Sequence, residues 1–259
     1  CLPPRVLPEF AAWYPELAAI RRDIHRSPEL GFETPNSCAR ISWLLRDWGI
    51  KSIDTETVEG GVIAVLPGNR PGPTIALRAD IDALPMKDCS ATDGTSEIEG
   101  RCHACGHDAH TAMLLGAAKF LQNHKDELSG IVYLAFESGE ENGAGFLPMM
   151  EGLSQFKIDT FWAIHVLNYL PSGTICVQAG PRMAGAAIVD VTFHGKGGHG
   201  SRPDLSANPV FCAANFLTNL SVAFGQQIDA NQTVTLGITS IIGGGVANII
   251  PDDAHVLGT

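Results

Sequence analysis

The sequence predicts a layered α/β protein whose central sheet is mostly parallel, followed by a smaller α+β unit, and three observations carry that expectation. Short apolar runs alternate with stretches of helical periodicity, the pattern of strands and helices packed in layers. Four of the runs, 61–66, 74–78, 131–136 and 160–164, are continuous rather than alternating, as strands buried on both faces of a sheet should be. Past Gly180-Pro181 the texture changes, with Val189, Val191 and Phe193 alternating against Asp190, Thr192 and His194 in a half-exposed strand. The expected units are therefore 1–180 and 181–259.

Taken in order, Phe10, Trp13, Leu17, Ile20 and Ile24 recur at helical spacing over about 10–25, and Pro28-Glu29-Leu30-Gly31 stops that helix. A second helix over about 36–48 carries Ile41, Leu44 and Leu45 on one face and ends at Gly49. A third is expected from about Ala109 to Gln122, between the strands at 74–78 and 131–136. The second unit reads as the alternating strand, a helix at about 206–223, a strand at about 233–241, the flexible Gly243-Gly244-Gly245 and the start of a strand at His255-Val256-Leu257. That last strand is read as unfinished at Thr259, so the expectation is a chain truncated at its C-terminus. Cys1 without a preceding Met is read as a trimmed N-terminus, a lipid-anchored Cys being the minor alternative.

Composition narrows the function classes. With 28 acidic against 17 basic residues and a formal charge of −11, the chain lacks the basic face that a phosphate backbone requires, so a small-molecule partner is expected and no nucleic acid. No apolar run approaches the roughly 20 residues that span a bilayer, so no membrane is expected. The seven cysteines, Cys1, Cys38, Cys89, Cys102, Cys105, Cys176 and Cys212, are too scattered for a disulfide framework. A reducing, cytoplasmic setting is expected.

The chemistry concentrates in Arg101-Cys102-His103-Ala104-Cys105-Gly106-His107-Asp108-Ala109-His110, in the pair Glu140-Glu141 and in His165. Thiolate, imidazole and carboxylate are the side chains that bind borderline divalent metals, and these stand at the ends of apolar runs, where open α/β sheets bind ligands. Cys105 and His107 flank a glycine just before a helix, so both can point into one crevice. Adjacent carboxylates such as Glu140-Glu141 ordinarily mark a solvated loop. A bound cation reverses that logic, because one carboxylate can ligate it while the other takes a proton from the bound water. Three alternatives stay open on the residues alone: a metal-dependent hydrolase, a relative whose metal only holds structure, and a redox protein using the Cys102-x-x-Cys105 spacing.

Arg78-Ala-Asp80-Ile-Asp82-Ala-Leu-Pro85, His103-Ala-Cys105-Gly-His107-Asp-Ala-His110, Glu140-Glu141, His165-Val, Gly195-Lys-Gly-Gly-His199-Gly and Asn248-Ile-Ile-Pro251 resemble the dinuclear metal-dependent amidohydrolases that include hippurate hydrolase and indole-acetyl-amino-acid hydrolase, which are similar to aminoacylase and carboxypeptidase G. The resemblance runs from Arg22-Asp23-Ile24-His25 nearly to the end of the chain. It implies a catalytic α/β domain with an inserted lid domain that mediates homodimerisation, and hydrolysis of the amide bond of N-acyl amino acids. It implies two divalent ions per complete site, Mn²⁺ or Zn²⁺ with Co²⁺ or Ni²⁺ as further candidates, held by Cys105, His107, Glu141 and His165. Glu140 becomes the general base, His199 the lid residue that helps hold the tetrahedral intermediate, and Asn248 a contact to the substrate carboxylate. Asp80 and Asp82 are expected to order the ligands, and His103 and His110 to support them. The sequence departs from that family at Cys102, where Met or a similar residue is usual, and at Phe136-Glu137-Ser138-Gly139, where Gln-Pro-Ala is expected before the acidic pair. The family's final ligand, a His in a segment that returns to the catalytic domain, is not within these 259 residues.

Overall fold

A computed structural model describes residues 6–229 and 231–259; Cys1 lies outside the described residues. The chain divides into a unit Cys1–Cys176 and a unit Val177–Thr259, the division falling just before the change of texture at Gly180-Pro181.

In the first unit, helix α1 (Pro8–Arg26) starts on a proline whose fixed φ suits the first helical turn and ends on Arg26, which complements the C-terminal dipole. Helix α2 spans Pro35–Asp47. Its N-terminus is not capped by Thr34; Glu29 reaches across instead, accepting from the Asn36 and Ser37 backbone N–H groups at 3.1 and 2.8 Å. Strands β1 (Ser52–Asp54), β2 (Val62–Pro67) and β3 (Arg70–Asp80) precede helix α3 (His107–Asn123), and β4 (Ser129–Glu137), helix α4 (Phe146–Ser154) and β5 (Thr160–Ala163) complete the unit. The sheet order is β1-β2-β4-β3-β5. β3 pairs in parallel with both β4 and β5, and this is the larger part of the register; β1 and β2 join antiparallel. Helices α1, α2 and α3 cover one face through Ile24, Ile41, Leu45 and Leu115 against Val62, Leu134 and Phe136. Each such side chain contributes about 1.5–3 kcal/mol on burial. α4 covers the other face around Met149, Tyr133 and Leu153.

One expectation is corrected. The run at 160–164 is not a strand buried on both faces: β5 is exposed along its length, Phe161 by 52% and Trp162 by 62%, because it is an edge strand paired only with β3 among the described residues. A continuous apolar run reports what a strand is able to bury, not what covers it.

In the second unit β6 (Val189–His194), β8 (Ile238–Ile242) and β10 (Asp253–Gly258) form an antiparallel sheet in the order β6-β10-β8, and helix α5 (Pro209–Gln227) packs on it through Ala213 and Phe216 against Val191, Phe193 and Val256. Two-residue strands β7 (Gly198–His199) and β9 (Ile249–Ile250) make a separate ribbon. The helix expected at 206–223 starts later, at Pro209, because the Asn208 side chain caps the Val210 N–H at 3.0 Å and Pro203–Leu205 form a short 3-10 turn before it. The strand expected from 233 begins only at Ile238.

Candidate metal centre

The parallel register brings Asp80 at the end of β3 level with Glu137 at the end of β4, so the loops that follow both strands leave the sheet at one edge. Asp82, wholly buried just past β3, organises them. Its two carboxylate oxygens accept the backbone N–H groups of Glu140 and Glu141, each at 3.2 Å, and its carbonyl oxygen accepts Nδ1–H of His107 at 2.9 Å. One residue thus sets the position of the acidic pair and the tautomer of the first imidazole.

α3 starts at His107 because Gly106 takes a left-handed conformation, φ 99°, which turns the chain sharply between Cys105 and the helix. A Cβ at Gly106 would run into the Val166 side chain. His165 follows β5, and its Nδ1–H donates to the Val166 carbonyl at 2.6 Å, which leaves Nε2 facing the Cys105 sulfur at 3.4 Å. His110 braces this segment: its Nε2 accepts the Val166 N–H at 2.9 Å and its Nδ1–H donates to Asp80 at 2.5 Å. With both nitrogens engaged, His110 supports the cluster.

The ligand atoms of Cys105, His107 and His165 lie within 4.8 Å of one another, and so do those of His107, Glu140 and Glu141. His107 Nε2 stands 3.7 Å from the carboxylates of Asp80, Glu140 and Glu141 alike. Two buried atoms, His107 Nε2 and Glu141 Oε1, have no hydrogen-bond partner among the described residues. Buried polar atoms are rarely left so, and a divalent cation satisfies both. The charges agree. Burial, and then Glu141 and Glu140, push the Cys105 thiol up to about 12; burial, with Glu140 and Asp82, raises Glu141 against the pull of His107. Burial alone would lower His107, but Asp82 and Asp80 outweigh it and its pKa rises. Burial likewise opposes ionisation of Asp80, yet His110, His107 and Arg78 hold its carboxyl down at about 2. Such a cluster is short of positive charge, and a divalent ion would reverse the bias on thiol and carboxylate. The donor set of thiolate, imidazole and carboxylate suits Zn²⁺ and its borderline neighbours. Beside it a cleft of about 650 Å³ opens between Glu141 and Asn142 on one side and Leu30, Phe32, Leu84 and Pro85 on the other.

His199 and Asn248 belong to the second unit, where the β7–β9 ribbon sets His199 opposite Ile249 and the Gly200 N–H donates to the Asn248 carbonyl at 2.8 Å. The Ser201 N–H donates to Nδ1 of His199 at 3.2 Å, so the proton of the neutral ring sits on Nε2. Cys102 and Cys105 go to different clusters and both are free thiols, Cys102 grouping with His25 and Asp88. Reading along the chain assigned no role to His25 or Asp88, because nothing local joins them; proximity in the fold is the only signal.

A parallel-centred α/β sheet with thiolate, imidazole and carboxylate donors at its carboxyl edge defines a metalloprotein of the α/β class. The chain belongs to peptidase family M20/M25/M40, whose model matches residues 76–253. It is 39% identical over 242 residues to thermostable carboxypeptidase 2 of Saccharolobus solfataricus, covering 93% of this chain and 62% of that one. It is 36% identical over 248 residues to N-acetylcysteine deacetylase of Bacillus subtilis, covering 96% and 65%. Among solved structures it resembles the Bacillus subtilis YXEP protein, a dinuclear metal binding peptidase from the M20 family, with a TM-score of 0.71, 33% identity and coverage of 96% of this chain and 64% of that one. The chain spans less than two thirds of the length of each of these relatives.

Proposed function

We propose that this chain is the metal-binding part of an amidohydrolase that cleaves N-acyl amino acids to a carboxylic acid and an amino acid. The observation that carries the proposal is the pair of orphaned buried atoms, His107 Nε2 and Glu141 Oε1, beside Cys105 Sγ and His165 Nε2. These four side chains would contribute ligands to a pair of divalent ions, Mn²⁺, Zn²⁺, Co²⁺ or Ni²⁺. The bound ions would supply a water of lowered pKa and polarise the amide carbonyl. Glu140, the more exposed of the two carboxylates, accepts the proton of the attacking water and returns it to the leaving amine nitrogen. His199 donates its Nε2–H to the oxyanion of the tetrahedral intermediate, and Asn248 contacts the substrate carboxylate. The named activity of the Bacillus subtilis relative, removal of acetyl from N-acetylcysteine, supports the substrate class.

The assembly proposed is a homodimer through the second unit. α5 has no charged side chain in its 19 residues and exposes Phe211 and Val222, and the edge strand β8 exposes Ile241 and Ile242. No helix among the described residues is long and apolar enough to cross a membrane. A cytoplasmic, reducing setting suits a thiolate ligand.

The test is a screen of N-acetyl and N-benzoyl amino acids against the chelated protein and the protein reloaded with each metal in turn. Hydrolysis restored by metal and confined to substrates with a free α-carboxylate is the expected result. Metal-independent turnover, or none on any N-acyl amino acid, overturns the proposal.

A further inference from the structure

We propose a second metal site, formed by His25, Asp88 and Cys102, that takes a zinc-like divalent ion as a structural staple. It does not depend on the hydrolase proposal. His25 comes from the last turn of α1, Asp88 and Cys102 from the long connection between β3 and α3, and their ligand atoms lie within 4.8 Å of one another. His25 Nε2 and Asp88 Oδ2 are 3.2 Å apart, close to the roughly 3.3 Å edge expected between nitrogen and oxygen ligands on a tetrahedral zinc ion. His25 and Cys102 are each only 6% exposed, as in a closed structural site.

The surroundings are arranged as for a metal-bound imidazole. Nδ1 of His25 meets Asp108 Oδ2 at 2.7 Å, and the Arg21 Nε–H holds that same oxygen at 2.6 Å. If Nδ1–H donates to that carboxylate, the usual support for a metal-ligating histidine, the Nε2 lone pair turns outward; the Arg21 Nη2 group also lies 3.2 Å from Nδ1. In a neutral ring that lone pair would face the Asp88 carboxylate, which is repulsive unless a cation lies between them. Asp88 is itself aimed by the Ser90 and Ser96 N–H groups, at 2.8 and 2.7 Å. Beside the cluster, His103 is buried with neither ring nitrogen bonded among the described residues, and its ring centroid is 6.2 Å from that of His25. Burial, then Asp88 and Asp108, raise the Cys102 thiol, a bias that a bound cation would reverse.

The ion would pin the end of α1 to a segment that otherwise has little regular structure, through the same loop in which the Glu97 N–H donates to the Arg26 carbonyl at 2.8 Å. The competing arrangement is an imidazolium locked between Asp88 and Asp108, with Cys102 a bystander.

The test strips the protein, reloads it with Co²⁺ or Zn²⁺, and compares bound metal per chain in the wild type, Cys102→Ser, Cys102→Ala and His25→Gln. Folding of each variant is verified by circular dichroism. Loss of about one tightly held ion in all three variants is expected. In a Cys105→Ser background the sulfur-to-cobalt charge-transfer band should persist and then vanish when Cys102→Ser is added. Unchanged metal content, or no thiolate band once Cys105 is replaced, overturns the site in favour of the imidazolium. A crystal grown with Zn²⁺ needs no variant: an anomalous peak bounded by His25, Asp88 and Cys102 supports the site, and its absence there overturns it. Glu141→Ala, which strips only the other cluster, tells failure here from failure of the hydrolase reading.

Discussion

Glu140 and Glu141 are neighbours with different surroundings, and that difference bears on the tasks proposed for them. Asp82 clamps both backbones, but the Glu141 side chain is 19% exposed, with one oxygen buried and unbonded, whereas Glu140 is 38% exposed and open to a water. Glu140→Gln should therefore keep metal content near wild type while kcat falls by about 10² to 10⁴ or more, since the carboxylate both accepts the water's proton and returns it. Glu141→Ala should lose metal first, with activity falling in step. Metal analysis beside turnover measures both, and metal loss in Glu140→Gln with activity per ion preserved would reverse the assignment. The residue types at these positions were legible in the sequence. Which of the two carboxylates has the orphaned oxygen was not, because that depends on the loop fold and on His107 across the cleft.

At the level of elements, the site is made by how strands and helices end. Gly106 can hold φ 99° with the Val166 side chain pressed against it, so Gly106→Ala meets both left-handed strain and a collision. That substitution should lower the denaturation midpoint and the affinity for metal together, as measured by urea unfolding and metal titration. Asp82→Ala should also destabilise, by about 1–3 kcal/mol, because the Glu140 and Glu141 N–H groups lose their acceptor. Wild-type metal affinity in both variants would show that the loops hold themselves. The helices and most strands were visible as periodicity, which is local. Glu29, read along the chain as part of a stop signal for α1, proves to be the cap of α2, and β5, read as buried, is an exposed edge. Both outcomes turn on partners distant in sequence.

On the scale of the whole molecule, the catalytic role proposed for His199 would require the second unit of this chain or of a partner to meet the candidate metal cluster of the first. If the partner's copy acts, mixing His199→Ala protein with Glu140→Ala protein should restore part of the activity after subunit exchange. The readout is turnover, with exchange verified independently by native mass spectrometry. No rescue after verified exchange would place His199 in cis or outside the mechanism. The tautomer makes the residue fit for that work in either arrangement, since Nδ1 is occupied by Ser201 and Nε2 carries the donor proton.

The sequence by itself determined the layered α/β class and the main helices, because periodicity is written in neighbouring residues. It also offered the candidate donors, Cys105, His107, Glu140, Glu141 and His165, because metal affinity begins with side-chain identity. Only the tertiary structure decided which lone pairs are free, since that follows from where Nδ1 of His107 and Nδ1 of His165 find carbonyl oxygens. It alone brought His25 to Asp88 across a sequence separation of 63, and both to Cys102. No local pattern encodes such a meeting; it arises when the end of a helix packs against a long loop.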